Sequence, residues 1–337
     1  MTLAVGASPS AELGWALPEQ LGERAAVLEL VRQHGFNATA FQTLEEGYRY
    51  FFSGGGTVAY VDTGAAWVAA GAPLAAPQEI PTLASAFLRS AAHSGRRACF
   101  FGTEERLREL AGPRLRSFRI GEQAVWDPQR FEQTLGRRRS LREQLRRARA
   151  KGVRARLLTP AELSFGATRE QIVEVARRWQ AARLLSPMEF LVRLELFSFP
   201  EERRCFVAEQ GGRVVALAGV VPVPARGGWF VEDLVRDPGA PNGTSELLID
   251  AVMRWAAQQG SSWVTLGLAP LSGDVSPLLR AVRSSGRLLY DFSGLRSFRA
   301  KFQPDQWLPI YLSHPPSQRG WRSLLDAAIA FKISLAR

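Results

Sequence analysis

Cysteine is scarce in this sequence. Cys99 and Cys205 are the two in 337 residues, and each sits in an apolar stretch with no CxxC spacing. The three histidines, His34, His93 and His314, are scattered. No Cys/His cluster exists, so no metal is expected. Both thiols are expected buried and free in a reducing compartment, and no histidine is given a catalytic role. Long apolar runs are missing as well. A membrane-spanning helix takes about 20 consecutive apolar residues, whereas the richest run, 65–76, is shorter and is broken by Gly71 and Pro73. Met1–Ser10 lacks a basic segment followed by an apolar core, so no signal peptide is read. The expected location is the cytoplasm, or a peripheral position on the inner face of the cell membrane. Acid is in short supply too. Forty-three Lys and Arg face 32 Asp and Glu, for a net charge of +11, which points to a polyanionic partner, either nucleic acid or anionic lipid.

What is present is an ordinary globular composition, 46% hydrophobic and 22% charged. At roughly 100–200 residues per domain, two cores are expected. Leu21, Ala25, Leu28 and Val31 predict one face of a helix over 19–33, closed by His34-Gly35. An aromatic-rich stretch, 41–52, leads through Ser53-Gly54-Gly55-Gly56 into a strand at 57–61, with a hairpin partner at 65–70. A helix at 81–94, a strand at 97–101, a helix at 104–110 and a strand at 117–126 follow.

Residues 137–156 carry ten Lys and Arg against the single acid Glu143. Leu141, Leu145 and Ala148 are spaced to bury one helical side, leaving Arg138, Arg142, Arg146 and Arg149 as candidate phosphate contacts for RNA or lipid head groups. A solvated basic helix is the plainer alternative. Lys151-Gly152 ends the helix and 153–158 begins a strand.

The second half reads as a helix at 168–184 with Ile172, Val175, Ala176 and Trp179 inward. A hairpin of 206–209 with 213–222 follows, then a strand at 229–235, a helix at 244–259 and a strand at 263–268. A helix at 276–284 and a strand at 288–292 complete it. This order is the plan of an N-acetyltransferase-like fold, and the first half has a similar rhythm. The expected fold class is therefore α+β: two tandem N-acetyltransferase-like units over 1–155 and 156–312, each a mostly antiparallel sheet flanked by helices. A C-terminal amphipathic helix is expected within 313–337. Trp321, Leu324, Leu325, Ala328 and Leu335 form its apolar side, which either lies in a bilayer interface or docks on its own core.

Several short motifs stand at ordered spacing: Glu232-Asp233-Leu234-Val235-Arg236, Ala240-Pro241-Asn242-Gly243-Thr244, Leu266-Gly267-Leu268-Ala269-Pro270-Leu271, and Phe292 through Phe302 with Pro304, Trp307 and Tyr311-Leu312. Ile120-Gly121-Glu122-Gln123-Ala124, Trp179 and Met188-Glu189-Phe190 add to them. On these residues the chain resembles the soluble C-terminal domain of the phosphatidylglycerol lysyltransferases, also called multiple peptide resistance factors, over nearly its whole length. The resemblance implies aminoacyl-tRNA as donor and co-substrate with no other cofactor, and a hydroxyl of a membrane lipid such as phosphatidylglycerol as acceptor. Full-length members also carry an N-terminal membrane domain, which has no counterpart here. The sequence therefore reads as a standalone form, whose reaction class transfers better than its amino acid or lipid.

By the same resemblance, Asp233 and Arg236 match the family's Asp–Arg pair and are the catalytic candidates. Asp233 would bind the α-ammonium or move a proton, and Arg236 would hold a phosphate or the ester oxygen. In a regular strand Asp233 and Arg236, and likewise Glu232 and Asp233, point to opposite faces, so a bend near Asp237-Pro238-Gly239 is needed to unite the first pair. A structural ion pair is the alternative reading. Asn242, Gly243 and Thr244 open a helix whose free amides could receive the terminal tRNA phosphate, although Asn242 or Thr244 as N-cap would also account for them. Arg299 and Lys301 read as a basic strip for phosphate or as a solvated turn. Two other functions stay open: an acyl-CoA-dependent acyltransferase, disfavoured because Pro241 removes one amide from the phosphate cradle, and a non-catalytic RNA- or membrane-binding module.

Overall fold

Local sequence sets the first elements. In the computed structural model, which describes residues 18–182, 190–191, 194–274 and 292–333, α1 spans Pro18–His34. It buries Val27 and Val31, with Leu28 and Leu30 packed beside them; Ala25, expected on that side, is exposed. β1 (Arg49–Ser53) and β2 (Gly56–Asp62) form a tight hairpin. Gly54 and Gly55 turn it with φ of +59° and +79°, the left-handed conformation that two-residue hairpins require. β1 lies where only an aromatic-rich stretch was expected. β3 (Ala66–Ala70), α2 (Ile80–His93), β4 (Arg97–Thr103), α3 (Glu105–Ala111) and β5 (Arg116–Trp126) follow at the expected places. Phe87 of α2 anchors this half, with its ring 5.4–5.9 Å from those of Phe51, Tyr60, Trp67 and Phe100.

The basic segment is two helices, α4 (Phe131–Arg137) and α5 (Arg139–Ala150), and α5 buries Leu141, Leu145 and Ala148 as their spacing predicts. Then come β6 (Val153–Leu157), α6 (Pro160–Ser164), α7 (Ala167–Ala181), β7 (Arg204–Gln210), β8 (Arg213–Val223), β9 (Gly228–Arg236), α8 (Thr244–Gln258) and β10 (Val264–Pro270). The helix expected at 276–284 and the strand expected at 288–292 lie outside the described residues, apart from Phe292, which opens α9 (Phe292–Ala300). β11 (Gln306–His314) and α10 (Gly320–Ile333) complete the chain.

All eleven described strands join one sheet in the order β1-β2-β3-β4-β11-β5-β10-β9-β8-β7-β6. Each half contains one parallel crossover, β3–α2–β4 and β9–α8–β10, among antiparallel neighbours. This is a mixed α+β fold, one large sheet flanked by helices, in two halves of similar element order. They meet through an exchange: β11, the last strand of the second half, lies between β4 and β5, and β5 of the first half lies between β11 and β10. β5 and β11 pair from Arg116↔His314 to Val125↔Gln306.

The terminal helix corrects the expected amphipathic pattern. Ser323, Asp326, Ala327 and Ala330 face inward, while Trp321, Leu325 and Ala328 are exposed. Asp326, expected in solvent, accepts two bonds from Arg97 at 2.6 and 2.9 Å. Leu335 and Arg337 lie outside the described residues. No described helix is long and apolar enough to cross a membrane.

Candidate active site

A gap in the sheet and a bulge beside it build the site. β9 and β10 are paired only at Trp229–Val264 and Phe230–Thr265. Beyond them β9 stays with β8 and β10 with β5, so the parallel strands part. Gly267 allows this: its φ is +70°, and a Cβ there would lie 2.6 Å from the Phe230 ring. The corresponding strands of the first half, β3 and β4, stay paired over 66–70 with 97–101. The opening therefore belongs to the second half.

At its edge Asp233 pairs with Gly219 and Val231 with Val220, which leaves Glu232 as the extra residue of a β-bulge. Strict alternation would send Glu232 and Asp233 to opposite faces, but the bulge cancels it and both carboxyls join one buried group around Arg203. Arg203 Nη1 donates to Glu232 Oε1 at 2.5 Å, and both side chains are 1% exposed. Glu45 enters the same group from the first half, directly after a 3₁₀ turn over Ala38–Leu44, and is 3% exposed.

Three buried carboxyls, with the charge of Glu195 acting on each, thus surround the Arg203 guanidinium. Burial, and then the charges of Glu232 and Asp233, push Glu45 well above the ordinary carboxyl range. Burial and then Glu232 do the same to Asp233. Glu232 is raised by burial despite Arg203. Neither oxygen of Glu45 has a hydrogen-bond partner among the described residues, and neither has Glu232 Oε2 or Asp233 Oδ2. Buried acceptors without donors are costly, so the group suits a donor that carries positive charge. Tyr48 and Gln42 wall it on the Glu45 side: the Tyr48 hydroxyl accepts from Leu191 N at 3.2 Å, and Gln42 Nε2 donates to Leu191 O at 3.1 Å. Burial pushes the neighbouring Cys205 thiol up to about 12, which keeps it protonated and unreactive. No group of three or more His, Cys, Asp or Glu suited to a metal occurs among the described residues.

The other sequence candidates fall in two places. Arg236 does not meet Asp233; past the bulge the strand alternates regularly to Ala216↔Arg236, and Arg236 Nη1 donates to Ala240 O at 3.2 Å. The bend near Asp237 ties to α7 instead, through Arg178–Asp237 at 2.6 Å. Arg203 is the cation that faces Asp233. A second grouping forms at the start of α8. Its N-cap is Gly243 at φ +92°, with no side-chain cap from Asn242 or Thr244; the Thr244 hydroxyl donates to Pro241 O at 2.7 Å. A Cβ on Gly243 would lie 2.6 Å from Gln144 O, so α5 crosses this helix start. Arg149 pairs with Asp250 at 2.7 Å and Lys301 with Glu246 at 3.0 Å, both on α8.

The three other arginine candidates of the basic segment have local partners. Arg142 Nη1 donates to Leu135 O and Gly136 O at 2.6 and 2.5 Å and so caps α4. Arg146 pairs with Glu143 at 3.0 Å. With the Gln303 amide turned to face it, Arg138 donates two bonds of 2.9 Å to its oxygen. Arg299, read as strip or turn, is a buried helical residue whose Nη2 donates to Leu266 O at 2.6 Å beside the opening.

Comparison with known proteins gives the family and the fold. The family model described as "Phosphatidylglycerol lysyltransferase, C-terminal" matches residues 28–314. The chain belongs to that family. A lysylphosphatidylglycerol biosynthesis bifunctional protein LysX of Nocardia farcinica is 29% identical over 278 residues, 78% of this chain and 24% of the relative. The chain thus spans about a quarter of that relative's length. Among solved structures, the C-terminal domain (DUF2156) of a lysylphosphatidylglycerol synthetase candidate from Agrobacterium fabrum superposes with a TM-score of 0.80 at 24% identity, covering 93% of this chain and 97% of that one. L-PGS from Bacillus licheniformis gives 0.75 at 21%, covering 92% and 96%. At these identities the structural likeness speaks for the fold.

Two members of the acidic group, Glu45 and Arg203, escape motif reading. Glu45 is one acid in an aromatic-rich stretch and Arg203 one of two adjacent arginines. The family segment Met188-Glu189 lies outside the described residues, while its neighbour Phe190 packs on Tyr48 at 6.0 Å.

Proposed function

We propose that the chain is an aminoacyltransferase that moves an amino acid from aminoacyl-tRNA to a hydroxyl of a membrane lipid such as phosphatidylglycerol. The observation that carries this is the excess of buried carboxyl over guanidinium at the β9 bulge. The α-ammonium of an aminoacyl ester supplies the missing cation and donors for Glu45 and Asp233. The gap between β9 and β10 gives the ester a slot beside them. In the transfer, the lipid oxygen forms a bond to the ester carbonyl carbon and loses its proton, while the ribose oxygen leaves and takes one up. One ester replaces another, with the aminoacyl-tRNA as co-substrate. Asp233, held above the ordinary carboxyl range by burial and Glu232, is suited to carry that proton. Arg236 lies too far along the strand to share this task and fits the phosphate side instead.

The start of α8, with Lys301 and Arg149 beside it, suits the terminal phosphates of the donor. Arg139 and Arg147, exposed on α5 on either side of Glu143, face outward toward the rest of the RNA. Lipid mass spectrometry on a host expressing the protein, beside an Asp233→Asn control, tests the reading. A lipid heavier by one aminoacyl residue, absent from the control, is expected and names both amino acid and acceptor. Transfer in vitro that survives ribonuclease would overturn it.

A further inference from the structure

The surface around the start of α10 combines free positive charge with exposed apolar side chains. A cleft of about 660 Å³ opens between α2, the 96–98 segment and the 315–322 segment. Arg89, Arg96, Arg97, Arg319 and Arg322 line it. Arg97 is held by Asp326 and Arg96 leans on Asp62 at 3.4 Å. Arg89 and Arg319 have no side-chain partner among the described residues, and Arg322 lies 5.3 Å over the Trp321 ring. Beside the cleft, Trp321 and Leu325 are 50% and 52% exposed, one helical turn apart, and Ala328 continues the same outward strip. A helix docked on its own core by one side ordinarily turns a polar side to water. Here the outer side is Trp, Leu and Ala, flanked by arginine.

We propose that this is a bilayer-docking face for anionic phospholipid, with Trp321 and Leu325 in the interfacial layer and lipid phosphates in the arginine cleft. Charge complementarity selects the occupant, since the cleft has cations to spare and the strip beside it is apolar. The placement suits the substrate pocket. At the far end of α10 Phe331 packs on Phe190 at 5.1 Å, and Phe190 packs on Tyr48 beside Glu45. Phe331 lies ten helical positions beyond Trp321, about 15 Å along the axis. The proposal does not depend on transfer, because docking needs no aminoacyl-tRNA.

Sedimentation of the full chain with vesicles tests it, using phosphatidylglycerol mixed with phosphatidylcholine against phosphatidylcholine alone and no RNA. Binding to the anionic vesicles is expected. W321S/L325S should weaken it by about tenfold or more. R89Q/R319Q/R322Q should weaken it by about fivefold per arginine at low salt. R139Q/R147Q on α5 should leave it unchanged, and circular dichroism should report the wild-type fold for each. Transfer to detergent-dispersed lipid should survive in W321S/L325S. Failure of the wild-type chain to bind anionic vesicles overturns the proposal, as does wild-type binding by W321S/L325S. If R89Q/R319Q/R322Q loses tRNA but keeps vesicles, the cleft is an RNA site and the proposal falls.

Discussion

Replacing Arg203 with methionine removes the guanidinium that pairs with Glu232 in the acidic group while keeping most of the side-chain volume. Glu232, 1% exposed, then loses its 2.5 Å partner, and Glu45 and Asp233 lose the field that opposes their mutual repulsion. Breaking a buried pair from one side costs about 3–5 kcal/mol. For 337 residues, at roughly 2.1 cal/mol/K of unfolding entropy per residue, that corresponds to a fall in Tm of about 4–7 °C. The pH dependence carries the sharper signature. Folded-state carboxyls held above their unfolded values keep protons that the unfolded chain has already released, so stability falls as pH rises from the ordinary carboxyl range through the raised values. Loss of Arg203 deepens that fall. The deficit of R203M should therefore be largest at pH 8 and shrink toward pH 5, and R203M/E232Q should recover much of it. Urea unfolding followed by tryptophan fluorescence at both pH values measures this. A deficit under about 1 kcal/mol at pH 8, or one equal at pH 5 and pH 8, would refute the electrostatic account.

Gly219→Ala should cut transfer by about tenfold with little loss of stability, because its Cβ would lie 3.1 Å from Asp233 Oδ2 and displace the carboxyl; kinetics beside a thermal melt checks both halves. Gly243→Ala meets both a φ of +92° and the Gln144 carbonyl at 2.6 Å, so a loss of about 2 kcal/mol is expected in urea titration. Arg97→Met should cost about 1–3 kcal/mol by leaving the buried Asp326 carboxylate without its half-exposed partner, and Asp326→Asn in the same background should restore part of the melting temperature. Arg139→Gln with Arg147→Gln should weaken tRNA binding and flatten its salt dependence by about two phosphate contacts, with unchanged melting.

The legibility of the sequence followed local physics. Elements with a clear period and punctuation, such as α5 with Leu141, Leu145 and Ala148, or the hairpin at Gly54-Gly55, stand where the pattern puts them. β11 escaped because Gln306–His314 contains Pro309 and little regular alternation; its strand state comes from two neighbours distant in the chain. The outward turn of Trp321 and Leu325 reversed the apolar pattern of α10 because Asp326, itself buried, pairs with an arginine 229 positions away. At the site, the motif carrying Glu232 and Asp233 was visible, but their convergence depends on one unpaired residue in a ladder, which no periodicity announces. Glu45 and Arg203 reach the group through tertiary packing, and Arg236, adjacent in the motif, does not reach it.

The exchange of β5 and β11 has a consequence for how the chain is made. When the first 150 residues leave the ribosome, β4 and β5 stand apart with the place between them empty, because the strand that fills it is residues 306–314. Nothing in the first half alone can close that gap. The middle of the sheet must therefore wait until residues 306–314 have been synthesised, with two long edges open to wrong partners in the interval. Halves that complement one another only when co-expressed are what this topology predicts.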